Sequence, residues 1–121
     1  MLLSEDTIDN LSLEYLNYFT ALALGYNPKI KLLNNIECCV MGTQQVVQFD
    51  AKYIIPILIN EGLIVAMKYT ANFIESQIIS KDGKSAYFGY AGTEEQSLSK
   101  ALIIKTYCDV DIAVDYDTTI H

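Results

Sequence analysis

The chain has 121 residues, 51% of them hydrophobic, and a formal net charge of −7. This length and apolar content predict one domain with a hydrophobic core and exclude a disordered chain. The negative charge argues against sequence-independent binding of nucleic acid, which needs a cationic surface. All eight basic residues are lysine, so no arginine is present for bidentate recognition of phosphate or guanine.

Cysteine and histidine usage excludes several kinds of site. The three cysteines are odd in number and lack Cys-x-x-Cys spacing, so we expect reduced core thiols in a cytosolic protein at Cys38, Cys39 and Cys108. His121 is the single histidine, which excludes His-based triads and most zinc sites. We therefore expect no metal, no cofactor and no catalytic residue.

The sequence shows no targeting or membrane signal. Glu5 and Asp6 occupy the place where a signal peptide carries basic residues. The longest apolar run, residues 53–59, is far shorter than the roughly 20 residues of a membrane span. We expect a cytoplasmic protein without a membrane partner.

The N-terminal third predicts one helix and a less regular segment. Apolar residues recur at helical spacing from about residue 9 or 10 to residue 24, with Gly25 as a left-handed cap and Pro28 beyond it. Residues 29–49 predict a strand at 36–41, a loop at 42–45 and a short strand or extended segment at 46–49. A flexible excursion over 29–49 is the alternative.

A second helix is predicted over residues 51–61. Asp50 lies at its N-cap position and Gly62 closes it. Pro56 either kinks this helix or marks a later start. A run rich in β-formers then predicts a strand at 63–69.

A β-hairpin followed by a third helix is the strongest local pattern. Asp82-Gly83 predicts a two-residue type I′ turn. In the resulting register Ile78 faces Tyr87 and Ser76 faces Gly89, so small residues lie on one face, where a helix can approach closely. The other face carries Glu75, Gln77, Phe88 and Tyr90, which we interpret as a semi-exposed contact surface. Thr93 and Gln96 form a capping box at the start of the third helix.

Residues 109–117 alternate between two faces, one apolar and one acidic except at Ala113. This period of two predicts a strand at a sheet edge, or an arm that pairs with another subunit. Its acidic face carries Asp109, Asp111, Asp115 and Asp117. Such a row can imitate a phosphate backbone and bind the basic groove of another protein, together with Glu75, Phe88 and Tyr90. The alternative is a solvated strand face that prevents edge-to-edge aggregation; a calcium site is a weaker possibility.

A second set of residues suggests a small ligand. Gly92 and Thr93 place a helix N-terminus where an anion can bind, although Glu94 and Glu95 repel it. Bases can stack on tyrosine rings, and lysine can contact phosphate. The ligand-binding alternative therefore consists of Tyr87, Tyr90, Gly92, Thr93 and Lys84.

The order of these elements resembles the bacteriophage ABA-sandwich family of small, NinX-like phage proteins. The likeness rests on residues 22–26 at the end of the first helix, on Phe49-Asp50-Ala51 before the second, and on residues 91–102. It spans roughly residues 9–108, leaving 109–121 as an additional acidic strand or arm. The family tryptophans are absent here. The resemblance implies a small α-β-α layered α/β sandwich, phage origin and no catalytic residues.

Together these observations predict a single domain with about three helices and a mainly antiparallel sheet of three or four strands. The leading functional prediction is a phage-encoded, non-catalytic counter-defence inhibitor that binds a basic host defence protein in the host cytoplasm. The first alternative is an oligomeric sponge that sequesters a cyclic nucleotide immune signal. The second is a structural or housekeeping phage protein. We expect a homo-oligomer that does not bind nucleic acid directly.

Overall fold

Four helices and two sheets make up residues 1–118, the part of the chain that the computed structural model describes. The helices are α1 (Glu5–Asp9), α2 (Leu13–Ala23), α3 (Ala51–Asn60) and α4 (Glu94–Tyr107). The strands are β1 (Lys29–Leu33), β2 (Ile36–Met41), β3 (Gln44–Gln45), β4 (Ile64–Tyr69), β5 (Ile74–Ile79), β6 (Ala86–Ala91) and β7 (Tyr116–Asp117). The predicted α/β class and mainly antiparallel pairing are confirmed.

The strands are divided between two sheets. The first sheet has the order β3-β2-β1-β7, and its β1–β7 pair is parallel. The second has the order β4-β5-β6 and is antiparallel. Helix α2 packs against β1 and β2, α4 packs against β5 and β6, and the two helices pack on each other. Helices α2 and α4 therefore lie between the sheets, and two clusters of buried apolar residues surround them. The first core cluster includes Ile54, Leu58, Ile78 and Leu98, and the second core cluster includes Ile8, Phe19, Ile30, Cys39 and Ile103.

The predicted first helix is two helices in the structure. Ser4 caps α1, because its hydroxyl oxygen accepts a hydrogen bond from the Thr7 N–H at 3.2 Å. The Asn10 side chain donates to the Asp6 carbonyl oxygen at 2.8 Å and the chain leaves the helix there. Ser12, in extended conformation, then starts α2. The predicted start at residue 9 or 10 is wrong, because these short polar side chains favour helix ends over helix interiors.

Residues 29–45 form an antiparallel meander in place of the flexible excursion considered above. The strand at 36–41 is confirmed, whereas β1 and the short β3 were not predicted. Leu33 pairs with Ile36, so the β1–β2 connection is the two-residue turn Asn34-Asn35, with φ values of 53° and 64°. This is the left-handed conformation that a type I′ turn requires, and asparagine tolerates it better than most residues.

Helix α3 runs through Pro56 without a later start. Asp50 occupies its N-cap position but forms no side-chain capping hydrogen bond. Gly62, at φ +86°, follows the helix as predicted, and the strand expected at 63–69 is β4.

The register predicted for the β5–β6 hairpin is confirmed, but the predicted turn is wrong. Ile78 pairs with Tyr87 and Ser76 with Gly89. Only Gly83 of the Asp82-Gly83 pair has a positive φ, and the Ser80 N–H donates to the Ser85 carbonyl oxygen at 2.8 Å. The connection therefore has four residues. The Asp82 carboxylate accepts hydrogen bonds from the Ser80 hydroxyl and the Lys84 N–H, which stabilise this longer loop.

Gly89 lets α4 approach β6 closely. A Cβ atom at this position would lie 2.0 Å from the Ser97 carbonyl oxygen and 2.5 Å from the Ala101 nitrogen. Thr93 caps α4 as predicted, its hydroxyl oxygen accepting from the Gln96 N–H at 3.2 Å. The helices pack on the face of the sheet that carries Ile78 and Gly89, so Phe88 and Tyr90 lie on the opposite face and are exposed.

The C-terminal segment follows a different course from the predicted continuous strand. Asp109 has a φ of 62°, and residues 109–112 pair through their backbone with residues 1–3. Only Tyr116 and Asp117 form a strand, β7, which does lie at a sheet edge as predicted. Within the described residues this tail packs on its own chain, and Ile112 and Val114 contact the second core cluster. His121 lies outside the described residues.

Candidate functional site: a cleft between α1, β6 and α4

The four aspartates of the tail do not form the continuous row predicted for them. Asp111 forms an ion pair with the Met1 ammonium at 3.0 Å. Asp115 lies 4.0 Å from Lys29, and Asp117 lies 3.9 Å from Lys31. Because Asp109 is in a left-handed conformation and only Asp117 belongs to a strand, the prediction of one acidic strand face is wrong. Three of the four carboxylates are already close to a cation.

Acidic and aromatic residues instead meet in a cleft of about 340 Å³ between α1, β6 and α4, called the α1–β6 cleft below. Glu5 and Asp9 contribute from α1, and Ile104 and Cys108 from α4 and its C-cap. Strand β6 supplies the remaining residues, Ala86, Tyr87, Phe88 and Tyr90. Three residues of the predicted contact surfaces, Tyr87, Phe88 and Tyr90, therefore line one cavity.

Helix α1 presents both carboxylates to this cleft. Glu5 and Asp9 are four residues apart, so they lie on the same side of the helix. The buried Ile8 anchors α1 in the second core cluster. Backbone hydrogen bonds from the Leu3 N–H to the Val110 oxygen and from the Asp109 N–H to the Leu3 oxygen fix the segment before it.

Negative charge affects the ionisable groups around the cleft. The pKa of Tyr90 is raised by burial, then by its hydrogen bond with Glu75, and further by the charges of Asp9 and Glu5. The pKa of the Cys108 thiol is also raised, first by burial and then by the charges of Asp109 and Glu5. Glu75 and Asp109 are both predicted site residues, and they contribute to the raised pKa of Tyr90 and of Cys108, respectively. A raised pKa keeps the thiol protonated and makes it a poor nucleophile.

One lysine borders the cleft. The Lys100 ammonium donates to the backbone oxygens of Asp9 and Tyr90, at 3.0 and 3.2 Å, and so bridges α1 and β6. Its hydrogen-bond partners there are the two carbonyl oxygens, and Glu5 and Asp9 both line the cleft.

The aromatic side of the cleft is partly ordered by ring packing. Phe73 contacts Tyr90 edge-to-face, with ring centroids 5.6 Å apart. Phe88 and Tyr90 remain 39% and 44% exposed. Ring faces attract cations through their quadrupole, and carboxylates attract them by charge, so this combination favours a cationic group.

A larger hollow of about 1090 Å³ lies beside the β1–β2 hairpin and β7, but its charged groups already have partners. Lys31 pairs with Asp117, and Glu37 accepts a 2.6 Å hydrogen bond from the Tyr15 hydroxyl. The polar groups of this hollow are therefore committed to the fold, and we regard the smaller cleft as the better candidate.

The residues of the predicted ligand site are not brought together. Tyr87 and Tyr90 share the α1–β6 cleft, but Lys84 and Thr93 lie beyond opposite ends of β6, whose six residues span roughly 20 Å. Glu94, in the first turn of α4, accepts a hydrogen bond from the Tyr69 hydroxyl.

Among residues 1–118 no group of three or more His, Cys, Asp or Glu side chains could hold a metal ion. In the same part of the chain, no helix is long and apolar enough to cross a membrane.

Glu5 and Asp9 are not among the predicted site residues, because the predicted first helix begins only at about residue 9 or 10. The signal was present: Ser4 followed by Glu5 and Asp6 is a typical helix start, with acidic residues at the positive end of the helix dipole. What no local pattern indicates is that this helix lies opposite β6.

Comparison with protein-family models, with curated proteins and with solved structures finds no match to this chain. The resemblance to the phage ABA-sandwich family therefore stays a prediction.

Proposed function

We propose that this protein is a non-catalytic binding protein whose α1–β6 cleft receives a lysine or arginine side chain of a basic protein partner. The observation that carries the proposal is that Glu5 and Asp9 line one cavity of about 340 Å³ together with the aromatic residues of β6. Carboxylates supply charge and hydrogen-bond acceptors, and the rings supply cation–π contact.

A protein partner fits this site better than a nucleic acid does. The chain carries a net charge of −7, and the cleft itself is acidic, so a phosphate backbone is repelled. The same repulsion disfavours the cyclic nucleotide alternative, although Tyr87 and Tyr90 offer rings for stacking. A counter-defence role against a basic host protein, in the host cytoplasm during phage infection, is compatible with this site and stays a prediction.

The proposal is tested with small cationic probes. The Nα-acetyl amides of lysine and arginine are titrated into the isotope-labelled protein, and backbone amide shifts are followed by NMR, with the norleucine derivative as the uncharged control. We expect dissociation constants of about 1 mM for the cationic probes, because so small a ligand forms few contacts. The shifted amides should cluster in α1, β6 and the C-terminal turn of α4.

Two double variants of equal net charge test whether the probes bind the cleft or respond only to the overall negative charge of the protein. Glu5→Gln with Asp9→Asn should weaken binding of both cationic probes by about tenfold, because the carboxylate interaction is lost. Asp111→Asn with Asp115→Asn removes the same charge from the tail and should leave binding unchanged. Equal shifts with the norleucine probe, or weakening by the tail variant alone, would contradict the proposal.

A further inference from the structure

We propose that the basic partner binds the α1–β6 cleft as an extended strand, which pairs with the free edge of β6. This inference rests on the function proposed above and adds the backbone conformation of the ligand. The partner would then contribute a flexible or terminal segment in which every second residue is lysine or arginine.

The first step is that, among residues 1–118, β6 pairs with another strand on one side only. In the sheet order β4-β5-β6, strand β6 pairs with β5 and ends the sheet. The cleft lies along this end of the sheet, since four β6 residues line it. An edge strand exposes a row of backbone donors and acceptors that another extended chain can pair with.

The second step identifies which backbone groups face the cleft. The Ser80 N–H donates to the Ser85 oxygen, so that pair is hydrogen-bonded. Hydrogen-bonded and non-hydrogen-bonded pairs alternate along an antiparallel ladder. In the observed register, Ala86, Phe88 and Tyr90 are therefore the residues whose N–H and C=O groups point away from β5.

An independent contact supports this assignment. The Lys100 ammonium reaches the Tyr90 carbonyl oxygen at 3.2 Å from α4, which requires that oxygen to be accessible outside the β5–β6 ladder. Tyr90 thus has its acceptor occupied, whereas Ala86 and Phe88 offer both a donor and an acceptor. These two residues alternate with Tyr87, as the residues of one strand edge must.

The third step concerns the side chains of the added strand. Alternate side chains of a strand point to the same side, so a segment with lysine or arginine at every second position would direct all its cations one way. Glu5 and Asp9 lie across the cleft from β6 and would meet that side of the segment.

A second copy of this chain is a poorer occupant of the edge. Pairing β6 with β6 of another copy would bring two acidic clefts together, each with Glu5 and Asp9 and with Asp109 nearby. The like charges of the two clefts would repel each other and oppose association. Charge complementarity therefore selects a basic segment.

Hydrogen exchange tests the pairing directly. The probe is an acetylated and amidated heptapeptide that alternates valine with lysine. At saturating peptide, we expect slower exchange at the amides of Ala86 and Phe88, the two residues whose outward backbone groups are not beside Lys100. The amides of Tyr87 and Gly89 face β5 and should not change.

N-methylated peptides provide the matched control on the ligand side. In an extended strand the N–H groups of alternate residues point to opposite edges. One peptide is methylated at every lysine amide and the other at every valine amide. One of the two should therefore bind about tenfold more weakly than the parent peptide, and the other should bind with nearly the parent affinity. Equal affinities for the two methylated peptides would overturn strand pairing.

A variant pair provides the control on the protein side. Ala86→Pro removes an N–H that faces away from β5, a position where an edge strand tolerates proline, whereas Ala86→Val keeps it. We expect Ala86→Pro to bind the heptapeptide about tenfold more weakly than Ala86→Val, because the two variants differ in the N–H at this position.

The outcomes separate this inference from the proposed function. If the acetyl-lysine amide binds but the heptapeptide leaves the β6 amides unprotected, strand pairing is rejected and the cationic cleft stands. If neither ligand binds, both are rejected. Protection of the β6 amides that rises with protein concentration in the absence of peptide would identify a second copy as the occupant and reject the basic segment.

Discussion

At the scale of single residues, Gly89 decides how closely the second sheet and α4 can pack. Its backbone touches the Ser97 and Ala101 backbone of α4, and the neighbouring Ser76 and Ser97 hydroxyls share a buried hydrogen bond of 2.6 Å. Small residues at this contact bring β6 and α4 together, and β6 and the end of α4 both line the α1–β6 cleft. The site therefore depends on the absence of a side chain at one position.

We expect Gly89→Ala to destabilise the protein by about 3 kcal/mol, because the new methyl group meets backbone atoms that cannot rotate away. Gly92→Ala is the matched control. A Cβ atom there has no neighbour within 4 Å, so its effect should stay within about 0.5 kcal/mol. Urea denaturation followed by circular dichroism measures both. Similar midpoints for the two variants would show that α4 does not contact β6 as described.

A second residue links packing to pH. Burial, and then the hydrogen bonds with Glu37 and Tyr116, raise the pKa of Tyr15 well above the ordinary value of about 10. Unfolded protein loses this phenolic proton near pH 10, whereas folded protein retains it. The unfolded state then binds fewer protons, so stability that is fully present below pH 10 is lost as the pH rises further.

The free energy of unfolding should therefore fall between about pH 9 and about pH 11, and Tyr15→Phe should reduce that slope. Denaturant titrations at the two pH values measure the difference for each protein. Lysine deprotonation affects wild type and variant alike, so the comparison isolates the phenol. Identical slopes for both proteins would contradict the assignment.

At the scale of elements, the β1–β2 hairpin shows how a turn defines a register. Asn34 and Asn35 both adopt left-handed conformations, and the register from Leu33–Ile36 to Lys29–Val40 follows from this short connection. The register places Ile30 and Cys39 opposite each other in the second core cluster, where burial raises the pKa of Cys39 to about 11. The turn thus determines which of two adjacent cysteines faces that cluster.

Substitutions at Asn35 test the turn. Asn35→Gly should be neutral or stabilise the protein by a few tenths of a kcal/mol, because glycine adopts this conformation without a Cβ clash. Asn35→Ala should destabilise it by about 1 kcal/mol, since alanine lacks the local hydrogen bonds that let asparagine tolerate a left-handed backbone. Thermal unfolding of the two variants gives the order. A more stable alanine variant would argue against the left-handed turn.

At the scale of the whole molecule, the distribution of charge matters more than its total. The net charge is −7, but three tail carboxylates lie near the Met1 ammonium, Lys29 and Lys31. The Asp111 and Asp115 pairs are exposed and contribute little stability individually, whereas the Lys31–Asp117 pair is half-buried. The tail therefore attracts cations less strongly than its composition suggests. In the α1–β6 cleft, Glu5 and Asp9 both line the cavity, and Lys100 at its border binds backbone oxygens.

Binding of the lysine–valine heptapeptide should therefore weaken steeply with salt, while stability changes little. Between about 0.01 M and about 1 M NaCl the screening length falls from about 30 Å to about 3 Å, which removes the long-range attraction. Calorimetric titration across this range measures the affinity, and thermal unfolding at the same salt concentrations measures stability. Affinity independent of salt would indicate an apolar mode of binding.

The sequence by itself determined the features that depend on residues close to one another. The β5–β6 register follows from period-two alternation, the Thr93 cap follows from a residue three positions away, and the Gly62 helix end follows from a single residue. The same local logic predicted a strand in the tail, since alternation was the only information available there. The conformational preferences of neighbouring residues determine these elements, so a short stretch of sequence is enough to predict them.

Only the tertiary structure decided which elements face one another. Residues 1–3 pair with residues 109–112, and the lysines of β1 lie near Asp115 and Asp117. Glu5 and Tyr90 line the same cleft, although they are far apart in the chain. No local pattern contains these contacts, because they arise from burying α1, α2 and α4 in shared cores between two sheets. Core packing thus neutralises much of the predicted acidic row and creates the acidic cleft elsewhere.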